Sequence, residues 1–85
     1  MFRENQNMDE KFEEVVERYL AKAEEIESET SKPQASSSML FATACFNAQS
    51  ILENSNPENL DENISEYIEM YEDMLRNSIK HYSAN

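Results

Sequence analysis

Apolar residues recur at intervals of three and four along separate parts of this chain, which predicts helices rather than strands. The first helix should run from about Asp9 to about Glu29, with Asp9 as its N-cap and with glutamates filling the opposite face. The last should follow Pro57 and end at about Tyr82. Their inner stripes are Phe12, Val15, Val16, Tyr19, Leu20, Ala23 and Ile26 in the first helix, and Leu60, Ile64, Tyr67, Ile68, Tyr71, Leu75, Ile79 and Tyr82, with Met74 at the margin, in the last.

Two breaks in the pattern separate these helices from a middle one. The first is the segment from Thr30 to Pro33, and Pro33 suits the first turn of a new helix because its missing N–H has no partner there in any case. Ser36 or Ser37 offers a later start as an alternative cap. The second break is the run of turn-forming residues 54–57, in which Asn56 is placed to cap the last helix before Pro57.

The fold class that follows is all-α. Short connections favour antiparallel neighbours, so we predict an up-down-up three-helix bundle that is also self-associating. Residues 9–82 form its single domain, and residues 1–8 and 83–85 are expected to be disordered.

The middle helix differs from its neighbours because no charged side chain occurs between Gln34 and Leu52. At about 100° per residue, its apolar residues fall into two stripes on nearly opposite sides. The wide stripe is Leu40, Phe41, Ala44, Cys45, Ala48, Ile51 and Leu52, and the narrow stripe is Ala35, Met39, Ala42 and Phe46. The wide stripe is expected to form the core, with the two acidic helices around it.

The narrow stripe has two interpretations. The outer helices cover both stripes within one chain, or the narrow stripe is a self-association seam in which Ala35 and Ala42 let two backbones approach while Met39 and Phe46 interlock across a two-fold axis. A chain of 85 residues buries a modest core and gains stability when a second copy covers apolar surface. Size therefore favours a homodimer.

Charge and cysteine content narrow the function classes. A net charge of −11 disfavours direct binding to nucleic acid or to an anionic membrane, whereas it permits a basic protein partner or imitation of a phosphate backbone. Cys45 is the sole cysteine, so an intramolecular disulfide is impossible and a reducing, cytoplasmic location is expected. The longest apolar run is about half of a membrane span.

Candidate chemistry is sparse. One cysteine and one histidine cannot supply four ligands to a structural zinc ion, and a chain without glycine has no phosphate-cradling loop. We expect no catalytic residue, metal or cofactor, and a buried, inert Cys45. The alternative is a small-ligand protein or enzyme whose pocket lies between the second and third helices and uses Tyr67, Tyr71 and Cys45.

Two stretches of the chain are similar to a known family. Residues 35–48, ASSSMLFATACFNA, resemble the alanine-rich central helix of the domain of unknown function 3144 family, and residues 71–82, YEDMLRNSIKHY, resemble its closing Met-Leu, Asn and Tyr pattern. The acidic first helix around Tyr19 extends the likeness over most of the chain. The resemblance implies a compact helical fold and a bacterial origin, and it carries no activity.

Crowding of carboxylates along the first helix leads to a prediction about salt. Screening of their mutual repulsion should stabilise the fold, so the melting temperature should rise from low to moderate salt. Thermal unfolding followed by circular dichroism measures this. A melting temperature that falls steadily over the same range would contradict the prediction.

Overall fold

A computed structural model describes residues 10–84 of the chain and contains three helices. Helix α1 is Glu10–Glu29, helix α2 is Lys32–Glu53 and helix α3 is Leu60–Ser83. No strand occurs among residues 10–84, which confirms the predicted all-α, three-helix fold. Asp9, proposed as the cap of α1, and the predicted disordered segment 1–8 lie outside the described residues.

The connection between α1 and α2 consists of Thr30 and Ser31 alone. Thr30 closes α1 by donating from its hydroxyl to the carbonyl of Ile26 at 2.7 Å. Ser31 caps α2, because its hydroxyl oxygen accepts the backbone N–H of Gln34 at 3.2 Å. Pro33 lies in the first turn of α2 as predicted, whereas Ser36 and Ser37 lie inside the helix, so the alternative later start is wrong.

The connection between α2 and α3 spans residues 54–59 and is held by reciprocal hydrogen bonds. The side-chain oxygen of Asn56 accepts the backbone N–H groups of Glu58 at 3.0 Å and Asn59 at 3.1 Å. The side chain of Asn59 in return accepts the N–H of Asn56 at 2.8 Å. This reciprocal pattern is that of a capping box around the turn 57–59. The N-cap of α3 itself is Asn59, so the expectation that Asn56 caps this helix is wrong. Residues 57–59 form a turn, so the regular helix begins at Leu60, later than predicted.

Two units make up the chain, and their boundary falls inside α2, between Cys45 and Phe46. One unit contains α1 and the N-terminal part of α2. The other contains the C-terminal part of α2, the 54–59 connection and α3. In the second unit the side-chain amide of Asn63 donates to the hydroxyl of Ser55, which ties the connection to α3.

Burial within residues 10–84 differs from the expected core. Ala35, at 6 % exposure, is the one buried residue in this range. Leu40, Phe41 and Leu52 of the predicted core are exposed. Phe12, Tyr19 and Leu20 of the α1 stripe and most residues of the α3 stripe are exposed as well. The prediction that α2 is shielded from water is therefore wrong, because most side chains of its wide stripe are exposed.

The hydrogen bonds that Asn56 accepts in the 54–59 connection support a stability prediction. Asn56→Ala leaves two backbone N–H groups without their acceptor, so the free energy of unfolding should fall by about 1 kcal/mol. Asn56→Asp keeps the acceptor oxygen and should stay within a few tenths of the wild-type value. Urea denaturation at one fixed protein concentration measures both variants. An alanine variant as stable as the wild type would show that the turn does not need these hydrogen bonds.

A candidate association surface on helix α2

The wide stripe of α2 is almost entirely accessible to solvent. Phe41 is 72 % exposed, and Leu40, Ala44, Cys45, Ala48 and Leu52 are also exposed. Ile51 is half-buried and is the exception. Large apolar side chains that share an uncharged, exposed face are typical of a surface that another macromolecule covers.

The narrow stripe is divided between covered and exposed residues. Ala35 is buried, so it is not available to a partner. Met39 and Ala42 are exposed, and Phe46 is 69 % exposed. The part of the predicted seam that remains accessible is thus Met39, Ala42 and Phe46.

Few residues of α2 are covered by the rest of the chain. Beyond Ala35, the residues of α2 with reduced exposure are Asn47, Ser50 and Ile51. Asn47 and Ser50 belong to the polar edge that separates the two stripes. Ala35 belongs to one unit, and Asn47, Ser50 and Ile51 belong to the other. In both units most of the wide stripe remains exposed.

Charges mark the two ends of this surface. Lys32 and Glu53 are the terminal residues of α2, and the helix carries no charge between them. The Lys32 ammonium lies 3.2 Å from a carboxylate oxygen of Glu27 in α1, and the lysine side chain is 78 % exposed. Such an exposed ion pair contributes little stability. The surface is consequently an uncharged strip on a chain whose net charge is −11.

The residues suggested for a ligand pocket are distributed over two helices. Tyr67 and Tyr71 lie one turn apart on α3, where Tyr67 is half-buried and Tyr71 is exposed. Cys45 is exposed on α2 rather than buried, which corrects the expectation of a shielded thiol. The exposure follows from its place on the wide stripe, which the chain leaves open.

Residues 10–84 contain neither a metal-binding cluster nor a membrane-spanning helix. Within this range, no group of three His, Cys, Asp or Glu side chains converges in a way that could hold a metal ion. None of its helices combines the length and the hydropathy that are needed to cross a bilayer.

The periodicity of α2 identified both stripes, but the wide stripe assigned to the interior is mostly exposed, and so is the narrow stripe apart from Ala35. Each stripe is apolar and uncharged, so composition alone does not distinguish a face covered by α1 or α3 from a face that is open. What decides between them is the direction from which the neighbouring helices approach. The residues whose accessibility was missed are Leu40, Phe41, Ala44, Cys45, Ala48 and Leu52.

A family model described as "Protein of unknown function (DUF3144)" matches residues 12–83. The match spans all of α2 and α3 and nearly all of α1. No curated protein and no solved structure matches the chain.

Proposed function

The chain belongs to this family of proteins of unknown function, and we propose that it is a non-catalytic interaction module that acts as a homodimer through α2. The observation that carries the proposal is the exposure of large apolar side chains along an uncharged helix. These side chains, Met39, Leu40, Phe41, Phe46 and Leu52, are all exposed. Their burial is the largest favourable term that association can supply, at about 25 cal/mol for each Å² removed from water.

The small number of buried residues favours a permanent partner over a transient one. With Ala35 as the one buried residue among residues 10–84, little apolar burial holds the helices of an isolated chain in place. Folding and association are then coupled, as in obligate dimers that have no stable folded monomer. A second copy meets this requirement because it is made together with the first.

Charge supports the choice of α2 as the contact. Two copies that each carry a net charge of −11 repel one another, and the repulsion is strongest where carboxylates face each other. Glutamates and aspartates occur along α1 and α3, whereas α2 is uncharged from Pro33 to Leu52. Contact through α2 brings apolar surfaces together and keeps the acidic side chains at the periphery.

Light scattering coupled to size-exclusion chromatography tests the proposal on the full chain. The wild-type protein should have the mass of two copies. A variant with Phe41→Glu and Phe46→Glu places a charge on each stripe and should lose the dimer, because burial of an unpaired carboxylate is strongly unfavourable. Gln49→Glu is the matched control, since Gln49 is an exposed polar residue between the stripes, and it should remain dimeric. A wild-type chain that is well folded and has the mass of one copy would overturn the proposal.

A further inference from the structure

We infer that the wide stripe of α2 is the surface that a second copy covers and that the two α2 helices cross antiparallel, near residue 46. This inference rests on the proposed homodimer and specifies its contact face and direction. It differs from the seam first expected on the narrow stripe, where Ala35 is already buried within the chain.

Accessibility selects the wide stripe. Six of its seven residues are exposed and Ile51 is half-buried, whereas Ala35 of the narrow stripe is buried. A second copy therefore finds more accessible apolar side chains on the wide stripe than on the narrow one. Phe46 lies outside that face, although it is as exposed as Phe41.

The order of side-chain sizes along the wide stripe specifies the direction. Bulky side chains occupy both ends and small ones the middle: Leu40 and Phe41, then Ala44, Cys45 and Ala48, then Ile51 and Leu52. This order is nearly symmetric about residue 46. A two-fold axis perpendicular to α2 at residue 46 relates the two copies. It places Leu40 and Phe41 of one copy opposite Leu52 and Ile51 of the other. The small residues meet at the crossing, where they allow the backbones to approach closely.

The end charges of α2 support the same direction. A parallel pair would place Glu53 beside Glu53 of the second copy and Lys32 beside Lys32. In the antiparallel pair the two Glu53 residues lie 14 positions apart along the crossing, which corresponds to about 20 Å at 1.5 Å per residue. Like charges at the helix ends are thereby separated by more than a Debye length in physiological salt.

Matched glutamate substitutions test the contact face. Phe41→Glu should raise the dissociation constant of the dimer by about a hundredfold or more, because it places a carboxylate in the interface. Phe46→Glu adds the same charge at an equally exposed phenylalanine of the narrow stripe and should leave the dimer intact. Ala48→Glu and Ala42→Glu form a second pair, in which both parent residues are exposed and small. Analytical ultracentrifugation provides the dissociation constants.

The outcomes separate this inference from the proposed function. Dissociation by the narrow-stripe variants, alone or as strongly as by the wide-stripe variants, would overturn the contact face while leaving the homodimer in place. A dimer that none of the four variants weakens would overturn it as well. A wild-type chain that is monomeric would remove both.

Disulfide cross-linking tests the direction in a dimer that retains most of its apolar surface. On a Cys45→Ser background, one batch of protein carries Leu40→Cys and another carries Leu52→Cys. Each batch is first shown to be dimeric, and the batches are then mixed and oxidised. The antiparallel crossing predicts a disulfide between residue 40 of one copy and residue 52 of the other, formed in the mixture and scarcely in either batch alone.

A parallel pair would instead cross-link within each separate batch, and that result would contradict the inference. Absence of any cross-link in dimeric protein would also contradict it. Ser36→Cys on the same background is the control, since Ser36 is exposed on the polar edge away from the wide stripe, and it should not cross-link in either case.

Discussion

The exposed apolar face of α2 is the constraint from which the account of this protein follows. Removal of apolar surface from water is the main favourable contribution to folding, and it must offset the loss of chain entropy. Among residues 10–84, Ala35 alone is buried, while Leu40, Phe41 and Leu52 remain accessible. Local features such as the cap at Ser31 and the side-chain hydrogen bonds of Asn56 stabilise a helix end and a turn, but each contributes on the order of 1 kcal/mol. In the proposed homodimer, a second copy supplies the missing burial.

Charge determines where that molecule can be accommodated. Acidic residues cover much of α1 and α3, and the ion pairs Lys22–Glu25, Glu27–Lys32 and Glu72–Arg76 lie at the surface. Exposed pairs of this kind add little to stability, and the excess of carboxylates favours separation of like-charged chains. The uncharged length of α2 is the part of the chain where this repulsion is weakest, and it also exposes Leu40, Phe41 and Leu52. The proposed contact through α2 therefore uses the helix with the fewest charges.

The helices could be predicted from the sequence because their signals are local. Spacings of three and four, the break at Thr30–Pro33 and the turn-forming residues 54–57 identify three helices with ends within a few residues of those observed. Ser31 was overlooked as a cap, although Ser31 and Gln34 have the spacing of a capping box. The covered side of α2 could not be predicted in the same way. Burial of Ala35 and exposure of Phe41 depend on the direction from which α1 and α3 approach, and the two stripes are equally apolar and uncharged.

The melting temperature measured as a function of protein concentration tests the central claim, that this fold depends on burial supplied by a second chain. If folding is coupled to dimer formation, mass action stabilises the folded state at high concentration. The account predicts that the melting temperature of the full chain rises continuously as its concentration is increased from about 1 µM to about 100 µM. A single sharp unfolding transition at the same temperature throughout this range would contradict it.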